Sequence, residues 1–161
     1  MPLLGLSMAS STIVGQCLGC DNINRAKKTA FYASFYGVVI MAIASIIAFI
    51  VPNTIMAIFV KEASVIETGV PMIRIVNISL IFAAITMGYG SVFSGSGYNK
   101  PYLISSVVGR WGVQIPLMYV IVNLLRLPVI WIWFTFVAAD LAEMLVILYS
   151  YNKGKWEVTR V

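Results

Sequence analysis

The sequence predicts an all-α integral membrane protein with about five transmembrane helices, and three observations predict it. Hydrophobic residues make up 60% of the 161-residue chain and charged residues only 11%, whereas about a quarter of a soluble domain is charged. The apolar residues fall in separate blocks long enough to cross a bilayer. The basic residues gather at the ends of those blocks, and no polar stretch of domain size interrupts them.

The first block, residues 2–20, reads "PLLGLSMASSTIVGQCLGC". Gly5, Ser7, Ala9, Ser10 and Ser11 keep it thin, which favours close approach of a second helix. The second, residues 30–51, would be about 33 Å long as a helix, enough for a ~30 Å hydrocarbon core. The third covers residues 70–93, the fourth 102–125 and the fifth 129–150. The connector between the second and third carries a short apolar stretch suited to the membrane interface. The turn "SGSGYNKP" joins the third and fourth: Gly95 and Gly97 allow backbone angles other residues resist, and Pro101 can start the next helix. Pro116, with Gly109 and Gly112 before it, favours a bend within the fourth span. Trp131 and Trp133 at one end of the fifth span, and Tyr149, Tyr151 and Trp156 at the other, suit interfacial anchors. Residues 151–161 form a tail.

Orientation follows from the basic residues of the short loops. Arg25, Lys27, Lys28, Lys100, Lys153, Lys155 and Arg160 fall on one side, Lys61 and Arg126 on the other. The first side is expected to be cytoplasmic, with the carboxyl terminus on it. The same distribution argues against nucleic acid as a partner, despite a net charge of +5. No cleavable leader is evident. Cys17 and Cys20 form a C-x-x-C, but without a second pair or any histidine they read as small packable thiols, and no metal or organic cofactor is expected. No enzyme motif is present.

Four ionisable residues lie inside the blocks, where such groups are functional candidates. Arg74 is near an edge and can snorkel outward. Arg110, counted from one end of its span, reaches a depth between those of Asp140 and Glu143 on the neighbouring span. The two acids, three apart, share a helix face. Arg110, Asp140 and Glu143 therefore form a candidate charge network, either a structural tie or a proton-sensitive switch. Met72, Asn77, Phe82, Met87, Gln114, Met118 and Tyr119 are candidate lining residues for an adaptable cavity, and Gly95, Gly97 and Pro116 candidate hinge or turn positions.

Three stretches carry a family resemblance. "PLLGLSMASSTIVGQCLG", "SVFSGSGYNKP" and "RWGVQIPLMYVI", in this order and spacing, resemble elements of the carboxyl-terminal lobe of the multidrug and toxic compound extrusion (MATE) family. The resemblance implies a twelve-helix, two-lobe transporter of which this chain supplies about helices eight to twelve. It also implies export of small organic, often cationic, compounds against H⁺ or Na⁺, in the cell membrane and with the missing amino-terminal helices as partners. A coupling aspartate that some members carry would fall near Ala83, where no acid stands. A related flippase for lipid-linked saccharides, or a non-transporting membrane subunit, are the alternatives.

Overall fold

The computed structural model describes residues 2–59 and 62–157, and every regular element among them is helical. The helices are α1 (Pro2–Gly19), α2 (Ile23–Ile50), α3 (Pro52–Phe59), α4 (Ala63–Gly95), α5 (Lys100–Leu124) and α6 (Ile130–Asn152), followed by a 3₁₀ turn at Lys155–Glu157. Among the described residues, α2, α4 from Val65, α5 and α6 are each long and apolar enough to cross a membrane. α1 covers its apolar block as far as Gly19 but is not one of these four. Ser7, Ser10, Ser11, Thr12 and Gln16 dilute its apolar content.

The helices run further than the apolar blocks. α2 starts at Ile23 because Asn22 caps it: the Arg25 amide donates to Asn22 Oδ1 at 3.1 Å. Arg25, Lys27 and Lys28 thus lie on the first turns of α2 instead of in a loop. Much of the 52–69 connector is helical as well, in α3 and the first turns of α4. Lys61, Arg160 and the end of the expected tail, 158–161, lie outside the described residues.

α4 is the central helix and touches α1, α2, α3, α5 and α6. Its closest crossings, with α1 and α2, are made by small residues. Ser10 and Ser91 hydrogen-bond at 2.8 Å between α1 and α4, and Ser7 Oγ donates to the Met87 carbonyl at 3.3 Å. Ala26, Ala30, Ala33, Ser34 and Gly37 of α2 are buried, while Phe31, Phe35, Ile43 and Ile46 point outward. Large apolar side chains outside and small ones inside is the arrangement expected where lipid is the solvent and helices associate by close packing.

Two glycines make that packing possible. A Cβ on Gly88 would lie 2.6 Å from the Ser34 backbone nitrogen, and one on Gly95 would collide with the Ser11 carbonyl oxygen. Gly95 is therefore a contact residue of α4 with α1. Gly97, at φ +72°, takes the left-handed conformation in the turn. Gly88→Ala should destabilise the bundle by about 1–3 kcal/mol, because backbone must move to admit the methyl. Thermal unfolding in detergent checks this; an unchanged midpoint would contradict the close α2–α4 crossing.

Residues 154–157 depart most from expectation. Gly154, at φ +66°, turns the backbone so that the 3₁₀ turn folds onto the bundle. Trp156 is wholly buried, in a cluster with Val14, Cys17, Ala26, Ala30, Val92, Phe93 and Ile147. Its ring stacks on Tyr151 at 5.5 Å between centroids, its Nε1–H donates to the Tyr151 carbonyl at 3.2 Å, and Tyr151 meets Tyr89 edge-on at 4.8 Å. Lys27 and Glu157 pair at 2.8 Å beside it. Trp156 is thus a core residue and not an interfacial anchor. The residues 155–157 do not trail from the last helix; they close one end of α1, α2 and α4.

Candidate functional site

The centre of the site is a guanidinium with three acceptors. Arg110 Nη2 donates to Asp140 Oδ1 at 2.8 Å, and Nη1 to Gln114 Oε1 at 3.1 Å. Arg110 Nε lies 3.1 Å from Glu143 Oε1. That carboxylate oxygen is buried and has no aligned hydrogen bond, so the Glu143 contact is ionic without being directional. Asp140 and Glu143 side chains are each 13% exposed, whereas Arg110 is 44% exposed. The cluster therefore opens to the protein surface on the arginine side. One cation faces two carboxylates.

The backbone of α5 sets this geometry. Residues Val108–Gln114 form a π-helical stretch, and a second runs over Val120–Leu124. The Ile115 amide bonds the Arg110 carbonyl, five residues back. Pro116 supplies the reason: it has no N–H, and its ring blocks the carbonyl four residues earlier. Widening the preceding turns lets α-helix resume at Ile115, so that Pro116 falls in a first turn where no donor is needed. Such π stretches often mark functional positions. The backbone stays helical through Pro116, and the local irregularity lies before the proline, around Arg110 and Gln114.

Gly109 completes the site. A Cβ there would collide with Glu143 Cγ and lie 2.8 Å from its Oε1. Gly109→Ala should push Glu143 off Arg110 and lower stability by about 1–3 kcal/mol. Glu143→Asp in the same chain should recover part of that loss, a coupling of at least about 0.5 kcal/mol between the two positions. Additive losses in thermal unfolding would contradict the contact.

The structure brings Arg110, Asp140, Glu143 and Gln114 together but does not gather the other candidates into one cavity. Asn77 lies in a groove between α2 and α4. Phe82 and Met87 are half-buried on α4; Met87 offers its carbonyl to Ser7. Met72 and Tyr119 are exposed and Met118 is half-buried. Sequence reasoning missed Gln114 as a ligand of Arg110, Gly109 as the seat of Glu143 and Trp156 as core. The four-residue spacing of Arg110 and Gln114 was the available signal for the first.

A bundle of apolar helices with small residues at their contacts and a charge cluster between two of them defines a multi-pass membrane protein. The MatE family profile matches residues 1–120. The chain belongs to the MatE family. It is 24% identical over 157 residues to the probable multidrug resistance protein NorM of Thermotoga maritima, covering 98% of this chain and 34% of that protein. It is 25% identical over 154 residues to multidrug and toxin extrusion protein 1 of Xenopus tropicalis, covering 96% and 27% respectively. The probable multidrug resistance protein YoeA of Bacillus subtilis is 20% identical over 161 residues, 100% of this chain and 35% of that protein. The chain thus spans between about a quarter and about a third of the length of these relatives. No solved structure gives a significant match.

Proposed function

We propose that the chain is the carboxyl-terminal-lobe portion of a secondary transporter that exports small organic, often cationic, compounds in exchange for H⁺ or Na⁺. The observation that carries this reading is family membership along most of the chain, with relatives named for multidrug resistance and toxin extrusion. Alternating access requires two bundles that move around a shared cavity. One bundle supplies one wall, so the chain acts with the preceding helices of the same transporter. The side bearing Arg25, Lys27, Lys28, Lys100, Lys153 and Lys155 is cytoplasmic, by the excess of basic residues.

The Arg110 cluster is the coupling candidate within this portion. It holds one carboxylate more than its arginine neutralises, and it ties α5 to α6. Uptake of one proton or one monovalent cation would balance its charge. A flippase for lipid-linked diphosphates would need several available cations, and Arg110 is already engaged by two acids, which weighs against that alternative.

Export of a fluorescent cationic dye tests the proposal. Cells expressing residues 1–161 together with an upstream region supplying the preceding helices should clear the dye, and Asp140→Asn with Glu143→Gln should impair clearance. Cells expressing residues 1–161 alone should retain it. Robust clearance by the short chain as a monomer would overturn the requirement for a second wall.

A further inference from the structure

Between α2 and α4, toward their α3 ends, lies a groove of about 340 Å³. Ala42, Ile46, Phe49, Ile78 and Ile81 wall it with carbon, and Arg74 is the one charged residue among the described lining residues. Ser45 Oγ donates to the Asn77 carbonyl at 3.2 Å and joins the two helices along it. The Arg74 guanidinium carbon sits 5.4 Å from the centre of the Phe49 ring. Arg74 is exposed and makes no ion pair among the described residues.

The depth of Arg74 follows from helix rise. From Arg74 to Gly95, α4 climbs about 32 Å, and α2 climbs about as far from Lys28 to Phe49, close to the ~30 Å thickness of the hydrocarbon core. With Lys28 and Gly95 at one headgroup layer, Arg74 and Phe49 stand at the other. The groove also avoids α1. At 3.6 residues per turn, Arg74, Ile78 and Ile81 lie about 100° round α4 from Met87, Ser91 and Gly95, which touch α1.

We propose that this groove binds one anionic phospholipid of the leaflet nearest α3, with its phosphate on Arg74 and an acyl chain along the groove. The guanidinium fork matches phosphate geometry and stands in the layer where lipid phosphates lie. The carbon walls below it match the chain. An organic cation would be repelled by Arg74. A protein segment would have to bring its own carboxylate to the same spot or bury the guanidinium unpaired. The inference rests on the membrane-spanning arrangement and is independent of transport, so its failure and the failure of the efflux experiment are separate results.

The test uses residues 1–161 in bilayers of phosphatidylcholine containing a minority of phosphatidylglycerol, with retained lipids counted by native mass spectrometry. The wild type should retain phosphatidylglycerol about tenfold above its share of the bilayer, as one charge-assisted contact provides. Arg74→Gln should return the ratio to that of the bilayer, and Arg74→Lys should keep part of the enrichment. Ile78→Trp, which fills the groove and leaves Arg74 in place, should also reduce retention. Equal lipid ratios in the wild type, Arg74→Gln and Ile78→Trp would overturn the proposal. Displacement of the lipid by inorganic phosphate would overturn it too, by showing a site for a free anion. A photoreactive residue at position 78 should cross-link to lipid; cross-linking to a protein segment would overturn it.

Discussion

Trp156→Ala is expected to lower the stability of the bundle by about 3–5 kcal/mol, the range for removing a fully buried aromatic side chain. Nothing around the site can close the gap cheaply. Val14, Cys17, Ala26, Ala30, Val92 and Phe93 belong to three different helices, all fixed by crossings of small residues. Trp156→Phe keeps most of the packing and should lose far less. The adjacent Lys27–Glu157 pair is 44% and 26% exposed. An exposed pair of this kind contributes about 0–1 kcal/mol, so Lys27→Ala should change little. Cys17 reports the event directly, since it is buried in the same cluster while Cys20 is exposed. In a Cys20→Ser background, Cys17 should react slowly with a thiol reagent, and Trp156→Ala should speed that reaction strongly. Equal rates would show that the tryptophan does not cover this end of the bundle.

The second large effect is at Arg110. Arg110→Ala leaves Asp140 and Glu143 facing each other with no cation, and an uncompensated acid within a membrane span costs roughly 3 kcal/mol. Folded yield should fall sharply. Arg110→Ala combined with Asp140→Asn and Glu143→Gln should recover much of the yield, because the excess charge leaves with the arginine. Arg110→Lys should recover less than an intact site, since a point charge does not reach three acceptors as the guanidinium fork does. The measurement is the monodisperse fraction after extraction in a mild detergent. Losses that simply add across the triple variant would contradict a shared network.

Which parts of this were readable in the sequence follows from the range of each physical signal. Hydropathy is local, and it disclosed the helical class and the apolar blocks. The charge network was readable because depth is one-dimensional: counting residues along two neighbouring helices placed Arg110 level with Asp140 and Glu143. The backbone geometry of α5 was not readable. It depends on the π-helical stretch before Pro116, and a proline in a helix signals a local irregularity without stating which one. Helix starts were misplaced where polar caps and basic first turns extend a helix beyond its apolar stretch, as Asn22 does for α2. Trp156 was misread because an aromatic residue just past a span is most simply an interfacial anchor. Gly154 was the signal that the backbone could reverse, but its positive φ appears only in the fold. Cavity lining was the least legible. Met72, Asn77, Phe82, Met87, Met118 and Tyr119 were chosen for side-chain type, and type alone does not tell which way a residue faces on a helix.

The membrane crossing of α4 is tested most directly by the sidedness of three engineered cysteines, with Cys17 and Cys20 first replaced by serine. If α4 crosses the membrane once and α5 and α6 cross it as a pair, position 62 lies on one side, and positions 99 and 155 lie together on the other. Intact cells expressing Glu62→Cys should react with an impermeant thiol reagent. Asn99→Cys and Lys155→Cys should be protected until the membrane is opened. Labelling of positions 62 and 99 from the same side would contradict the crossing of α4, and with it the placement of Arg110, Asp140 and Glu143 inside the membrane.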